Sequence, residues 1–376
     1  MTPLPLPGSL RARFVDGVNG LRMHLLEAGQ PGGRRLLLLH GFPELAFSWR
    51  HVMPTLAEAG FHVLAPDLRG FGRTTGWSAA YETDILPFRM QNLVRDAFGL
   101  LVALGYDHVD AVVGHDFGAP LAAWCALLRP DVFRAAVLMS APFAGPPAPG
   151  EIAPPQPDIH AALAALPRPR KHYQWYYSTP AANAEMAHPK QGLEQFLRAY
   201  FHMKSADWRD ASGAPLNRPH RLAGWTAEAL ATMPTYYIMD AGQGMSETVA
   251  PHAPSAAQAA ACAWLSPRDL AVYAQEYGRT GFQGGLHWYR CQTSGRFQAE
   301  MALFHGRPID VPAIFIAGEA DWGLYQFPGA VEAMQAKAFA RMQAVHIVPG
   351  AGHWVQQEQP AAVVRLVLGF LSSAQP

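Results

Sequence analysis

The apolar residues of this chain follow two periods in its first 140 residues. Short apolar runs at residues 35–39, 61–65 and 135–139 have the length of buried strands. Between them, apolar side chains recur at helical spacing over residues 48–60 and 88–105. Strands that alternate with helices predict an α/β fold, in which a mostly parallel sheet has helices on both faces.

A different kind of sequence then interrupts this alternation. Residues 141–157 contain seven prolines, which cannot continue the interior of a strand or helix. From there to about residue 304 the chain is rich in Ala, Trp and Tyr at helical spacing, without a strong strand pattern. Strand-like runs return at residues 311–317 and 344–348. The pattern predicts a sheet domain interrupted by a mainly helical insertion.

We therefore divide the chain into a core and a lid. The core is predicted to comprise residues 1–143 and 305–376, and the helical lid, or cap, residues 144–304. An antiparallel hairpin is expected over residues 12–28 at one edge of the sheet, and a closing helix over residues 361–371.

Composition and charge exclude several classes of function. The chain has 376 residues, and its 29 basic side chains balance its 29 acidic ones, which argues against nucleic-acid or anionic-membrane partners. No apolar run approaches the ~18–20 residues that span a bilayer, and the N-terminus lacks the features of a signal peptide. Three widely spaced cysteines form neither a zinc pattern nor a disulfide framework. A cytoplasmic protein is expected.

The most informative motif is Gly-His-Asp-Phe-Gly at residues 114–118, between an apolar strand and a helix. Its spacing is that of G-x-S-x-G, the nucleophile elbow, with Asp116 in place of the serine. A carboxylate can attack a saturated carbon and become an ester of itself, which suits opening an epoxide or displacing a halide. Taken alone, the motif is equally typical of an Asp that caps a helix.

Two further residues follow predicted strands in the order that an elbow nucleophile requires. Asp321 comes after the strand at 311–317 and His353 after the strand at 344–348, and chemistry collects at the carboxyl ends of parallel strands. The order nucleophile, acid, histidine predicts a catalytic triad. The backbone N–H groups of Phe42 and Phe117 are expected to form an oxyanion hole, while His40 is expected to pack beneath the turn.

On these motifs the chain resembles an epoxide hydrolase of the α/β-hydrolase superfamily over essentially its whole length. The segment 281–290, Gly-Phe-Gln-Gly-Gly-Leu-His-Trp-Tyr-Arg, is similar to a lid motif of that family. The tyrosine of this motif is Tyr289. An earlier aromatic stretch at 171–177 similarly gives Tyr173, with Tyr176 and Tyr177 as alternatives. The resemblance implies that Tyr173 and Tyr289 bind the epoxide oxygen.

The resemblance also implies a reaction. Asp116 would open a hydrophobic epoxide to form an ester, and water activated by His353 and Asp321 would hydrolyse it, with no metal or cofactor. Since the lid is aromatic, Trp175, Tyr177 and Trp288 are expected to contact the substrate.

The sequence departs from the family pattern in two places. Phe117 stands where the family often has Trp, and Arg73-Thr74 stands where Asp-Ser is common; both departures concern substrate range. A haloalkane or haloacid dehalogenase would use the same Asp-His-Asp set, but the Phe42 and Phe117 side chains offer no donor for a leaving halide. A non-catalytic ligand-binding module is a further alternative, because one fold hosts unrelated functions.

Overall fold

The computed structural model describes residues 2–150 and 158–373, and its centre is an eight-stranded sheet with the strand order β1-β2-β4-β3-β5-β6-β9-β10. The first two strands form an antiparallel hairpin, and β2 also pairs antiparallel with β4, whereas the remaining neighbours are parallel. The predicted α/β class and mostly parallel sheet are confirmed. The strands of this sheet are β1 Leu10–Val18, β2 Leu21–Ala28, β3 Arg34–Leu39, β4 Phe61–Pro66, β5 Ala111–His115, β6 Ala136–Met139, β9 Ala313–Gly318 and β10 Met342–Val348.

Helices cover both faces of the sheet because its central strands are apolar on both sides. In β3, Leu36 and Leu38 point into one buried cluster, and Leu37 and Leu39 point into the other. The first cluster includes α1 and the closing helix, while the second includes α2, α3 and side chains of the lid. The helices of the core are α1 Met53–Glu58, α2 Met90–Ala103, α3 Gly118–Leu128, α14 Ala330–Ala333, α15 Val355–Glu358 and α16 Pro360–Ser373.

Between β6 and β9 the chain leaves the sheet and forms the lid. The lid is mainly helical, as predicted, but it also contains a short antiparallel ribbon of β7 Arg170–His172 and β8 Ile238–Asp240. Three residues are too few to show a period in the sequence. The lid helices are α4 Ile159–Ala164, α5 Tyr173–Tyr177, α6 Ala181–Ala187, α7 Leu193–Lys204, α8 Ala227–Leu230, α9 Met245–Val249, α10 Ala256–Ala261, α11 Pro267–Thr280, α12 Gln283–Thr293 and α13 Gln298–Ala302.

The predicted domain limits, 143/144 and 304/305, stay a prediction, and residues 151–157 of the proline-rich segment lie outside the described residues. Among the helices that are described, none is both long and apolar enough to cross a membrane.

The sequence placed one helix incorrectly. The helix predicted over residues 48–60 is a 3-10 turn at Ala46–Trp49 followed by α1. Pro54 lies in the first turn of α1, where its missing N–H group costs nothing. Because a proline would remove a hydrogen bond from the interior of a longer helix, the helix starts at this point.

The lid meets the core through a close approach of two backbones. A Cβ atom at Gly284, in the first turn of α12, would overlap the backbone of Gly70, and a Cβ at Gly70 would overlap that of Gly284. Next to them, Gly285 packs against the rings of Phe42 and Phe71. An ion pair between Arg73 and Glu276 of α11 (2.7 Å) joins the same two parts of the molecule. The start of α12 is therefore held directly against the core.

Candidate active site

Asp116 lies in a strained turn between β5 and α3. Its φ is 52°, in the left-handed region that non-glycine residues rarely adopt. A Cβ at Gly114 would overlap the backbone of Gly118, and a Cβ at Gly118 would overlap that of Leu39. The two flanking glycines are needed because the turn brings these backbones into contact.

The two oxygens of Asp116 have different partners. The backbone N–H of Phe42, in the turn after β3, donates to Oδ1 (2.9 Å). Oδ2 lies 3.4 Å from Nε2 of His353. Phe117 follows Asp116 directly and precedes α3, yet among the described residues no hydrogen bond joins its N–H to the Asp116 carboxylate. Half of the expected oxyanion hole is thus in contact with Asp116, and the contribution of Phe117 stays a prediction.

His353 and Asp321 meet at the carboxyl ends of adjacent strands. Asp321 follows β9, and His353 follows β10. Nδ1 of His353 lies 3.0 Å from Oδ1 of Asp321, which also accepts from the N–H of Gly323 (2.7 Å). With the acid holding Nδ1, the other ring nitrogen faces Asp116. The sequence-predicted set of Asp116, Asp321 and His353 therefore lies together.

Both aspartates are buried, and their surroundings favour the ionised form. Burial acts to raise the pKa of Asp116, but the hydrogen bond and charge of His353, with Lys204 and His115, hold that pKa well below its usual range. Burial likewise opposes ionisation of Asp321, whose pKa is nevertheless lowered by the charge and hydrogen bond of His353. Asp116 is thus an anion at neutral pH.

A second buried pair, His115 and Glu44, lies behind the triad and was missed in the sequence. Nδ1 of His115 lies 2.5 Å from Oε2 of Glu44, and its Nε2 lies 2.7 Å from the carbonyl oxygen of His353. Since both partners are acceptors, both ring nitrogens donate, and the ring is cationic. Burial lowers the pKa of His115, but Glu44 outweighs it and the net pKa is raised. Glu44 lies in the turn after β3, and His115 lies in the 114–118 motif. Their separation in the sequence gives no indication that the two side chains are in contact.

A cavity of about 180 Å³ opens beside Asp116. Tyr173 and Tyr289 both line it, with their ring centroids 5.9 Å apart. The Tyr173 hydroxyl donates to Oε1 of Gln326 (3.0 Å). The other lining residues, from core and lid, are Phe117, Pro120, Ala141, Pro142, Gln174, Gln292, Gln326 and Phe327.

Both cavity tyrosines are protonated at any ordinary pH. Burial raises the pKa of Tyr173 and of Tyr289 well above the usual phenol value, and the charge of Asp116 adds to the increase. The alternatives to Tyr173 lie elsewhere: the Tyr176 hydroxyl donates to Glu185 (2.6 Å), and that of Tyr177 donates to Tyr200. Neither lines the cavity. The geometry therefore favours Tyr173 as the partner of Tyr289.

The three other lid aromatics that are expected to contact the substrate have different surroundings. Tyr177 packs behind Tyr289, with ring centroids 4.9 Å apart. Trp288 packs edge-on against Phe117, with ring centroids 5.6 Å apart, and lines a second, apolar cavity of about 170 Å³. Trp175 packs on His172 (5.0 Å) and does not line the first cavity. All three assignments stay predictions.

Lys204, the last residue of α7, is a further buried charge near the site that was not expected from the sequence. It is 3% exposed and lies close enough to act electrostatically on Asp116 and Asp321. The chain has four lysines, and this one follows an apolar stretch of the lid, which is the signal that could have revealed it. Within residues 2–150 and 158–373, no cluster of three or more His, Cys, Asp or Glu side chains could hold a metal ion.

Comparison with known proteins agrees with this geometry. The family model for the alpha/beta hydrolase fold matches residues 34–360. Epoxide hydrolase A of Mycobacterium tuberculosis (strain ATCC 25618 / H37Rv) is 33% identical over 368 residues, which cover 98% of this chain and 99% of that protein. Epoxide hydrolase 2 of Siraitia grosvenorii is 30% identical over 366 residues, covering 94% and 96% of the two chains.

Solved structures give the same result. The fold is similar to that of an epoxide hydrolase from an endophytic Streptomyces, with a TM-score of 0.76 and 32% identity over 97% of this chain and 96% of that one. Potato (Solanum tuberosum) epoxide hydrolase I has a TM-score of 0.73 and 32% identity, covering 97% and 99% of the two chains. The chain therefore belongs to the epoxide hydrolases of the α/β-hydrolase fold family.

Proposed function

We propose that this enzyme converts a hydrophobic epoxide to a vicinal diol through a covalent ester on Asp116. One observation supports this most strongly: an ionised carboxylate and two protonated phenols, Tyr173 and Tyr289, line the same cavity of about 180 Å³. An epoxide needs a nucleophile at carbon and an acid at oxygen, and the opposed groups supply both.

In the first step, Oδ2 of Asp116 attacks an epoxide carbon. Oδ1 is held by the N–H of Phe42, so Oδ2 is the oxygen left to react. The carbon–oxygen bond of the ring breaks as the new ester bond forms. The departing oxygen takes a proton from Tyr173 or Tyr289, since both phenols hold their protons in the buried site.

In the second step, Nε2 of His353 takes a proton from water, and the resulting hydroxide attacks Cγ of Asp116. Negative charge develops on Oδ1, where the Phe42 N–H already donates and the Phe117 N–H would join it. The bond between Cγ and Oδ2 breaks, and the protonated His353 supplies the proton of the second hydroxyl. The new carboxyl proton returns to the tyrosinate, which restores the enzyme.

The proposed substrate is an epoxide with at least one apolar substituent. Phe117, Pro120 and Phe327 line the cavity beside the reacting groups, and apolar walls favour an alkyl or aryl substituent. A panel of terminal, internal and aryl epoxides, run beside halogenated analogues, tests this class. Diol formation without halide release supports it, whereas halide release favours a dehalogenase.

The ester itself is tested with His353→Gln. We expect this variant to gain one substrate mass on incubation with an epoxide, because the first step does not need His353. Asp116→Asn should gain none, and His346→Gln, on β10, should turn over like the wild type. In H₂¹⁸O, a single wild-type turnover should place the label in the Asp116 peptide. An unmodified His353→Gln protein, beside an active wild type, would refute the covalent scheme.

A further inference from the structure

Lys204 is a buried cation that the proposed mechanism does not use. Its side chain enters the space between the lid and the loop that contains His353, where it is 3% exposed. Four aromatic rings surround the ammonium, at centroid distances of 5.5 Å for Tyr200, 5.8 Å for Tyr236, 5.1 Å for Tyr237 and 5.3 Å for Trp354. We call this arrangement the lysine cage.

The lysine cage holds a charge without an adjacent counter-ion. Among the described residues, no carboxylate oxygen lies within ion-pair distance of Nζ. Aromatic faces attract a cation, and the attraction is largest where water is excluded. Burial lowers the pKa of Lys204, while Asp116, Asp321 and Glu44 oppose that decrease. The cage and the three carboxylates therefore favour the ammonium form.

The lysine cage is connected directly to the catalytic histidine. The backbone N–H of His353 donates to the carbonyl oxygen of Lys204 (2.9 Å). Trp354, which forms one wall of the cage, has its ring centroid 4.6 Å from that of His353. With Nζ 5.3 Å from the Trp354 ring, the ammonium lies within about 10 Å of the histidine ring, close enough for a substantial interaction in a buried site.

The charges around His353 explain why a cation at this position matters. Asp116 faces its Nε2, Asp321 faces its Nδ1, and the His115 ring packs on it at 5.0 Å with Glu44 behind. The negative charges of Asp116, Asp321 and Glu44 are thus opposed by only one positive charge among these groups, that of the His115 imidazolium. Without Lys204, these three carboxylates and the His115 imidazolium would have a net charge of −2, or −1 once Asp116 is an ester.

We propose that Lys204 is a positioning residue that acts through His353: its caged ammonium balances the Asp116, Asp321 and Glu44 carboxylates, so that His353 can act as a base in the ester intermediate. The inference rests on the proposed two-step reaction. In the ester intermediate, Lys204 and the His115 imidazolium neutralise Glu44 and Asp321. His353 then has no charge to compensate and is free to take a proton from water.

The test compares Lys204→Met, which keeps a long unbranched chain without charge, with Lys204→Arg, which keeps the charge. Ester decay in single turnovers is followed by quenching and intact-mass measurement from pH 5 to 9. For Lys204→Met we expect the midpoint of the acidic limb to move up by about 1 pH unit, the size of the effect of a unit charge ~10 Å away at an effective dielectric constant of ~20. Lys204→Arg should restore the wild-type profile.

A structural role would give a different pattern. It would lower the rate equally at all pH values, or raise KM, and leave the midpoint unchanged. Lys190→Met, at an exposed lysine of the same lid, is the matched control and should change nothing. If Lys204→Met does not fold, Lys204→Gln undergoes the same measurement.

An unchanged midpoint in a folded, ester-forming variant overturns the role of Lys204 alone. Failure of wild-type and His353→Gln protein to form any ester overturns the two-step reaction instead. The two outcomes are separate because ester formation and ester decay are measured independently.

Discussion

Gly41 is the residue whose enlargement by one methyl group should affect catalysis most directly. It precedes Phe42 in the turn after β3, and its own φ is not in the left-handed region, so alanine is not excluded by backbone strain. The added Cβ would instead lie 2.5 Å from Oδ1 and 2.8 Å from Cγ of Asp116. The substitution therefore pushes directly on the carboxylate of Asp116, the proposed nucleophile.

The expected loss can be worked out from these distances. Non-bonded carbon atoms settle at about 3.5–4.0 Å, so the Asp116 carboxylate or the Gly41 turn must move by about 1 Å. A misplacement of about 1 Å in a reacting group costs on the order of 10²-fold in rate, or about 2.7 kcal/mol. The same movement weakens the bond from the Phe42 N–H to Oδ1, and loss of such a donor costs about 10²–10³-fold. We expect kcat/KM of Gly41→Ala to fall by about 10²–10³-fold, since the two effects overlap.

The assay is steady-state diol formation, with the rate of ester formation measured in the His353→Gln background. Gly278→Ala in α11 is the control, because its Cβ would meet Leu193 at an ordinary 3.6 Å. That variant should keep full activity and gain about 0.5–1 kcal/mol in free energy of unfolding from the higher helix propensity of alanine. A folded Gly41→Ala enzyme with wild-type kcat/KM would show that Asp116 is not held where the turn places it.

Two further predictions concern the lid. Tyr289→Phe should slow ester formation by about 10²-fold, because general acid catalysis contributes on that scale, and should leave ester decay nearly unchanged; equal slowing of both steps would contradict a role at the epoxide oxygen. Burial, with the nearby His160, lowers the pKa of His172 to about 3, and its Nδ1 accepts from the N–H of Gln174 (3.3 Å). Between pH 6.5 and 3, His172 therefore binds a proton in the unfolded chain but not in the folded protein. The free energy of unfolding should fall as the pH decreases through this range, by up to about 1.4 kcal/mol per pH unit. Urea unfolding at pH 7 and pH 5 should show a smaller pH difference for His172→Asn, and an equal difference would refute the assignment.

The core could be predicted from the sequence because its strands are buried on both faces. Short apolar runs such as that of β3 are typical of such strands, and Asp116, Asp321 and His353 come soon after such runs. Position after a strand was enough to bring the triad together, since parallel strands end at one edge of the sheet. At residues 48–60 the helical spacing of the apolar residues predicts one helix, but Pro54 makes the helix start later in the chain.

The lid and the buried polar groups were harder, because their partners are far away in the chain. Tyr173, Tyr176 and Tyr177 are neighbours in sequence, and only tertiary packing directs the first into the cavity and the second towards Glu185. Lys204 has no local pattern that relates it to His353, which lies 149 positions later. Such contacts depend on how the lid packs on the core, and the local spacing of apolar residues carries no information about that packing.

The contact of Gly284 with Gly70 has a consequence for how this enzyme could be adapted. Because a side chain at either glycine would push the two backbones apart, this contact keeps the start of α12, the helix that contains Tyr289, close to the core. We expect changes in substrate size to be accommodated more readily at the part of the cavity wall formed by Gln326 and Phe327, which lies outside α12. Libraries aimed at new epoxides should therefore vary that wall and leave both glycines untouched.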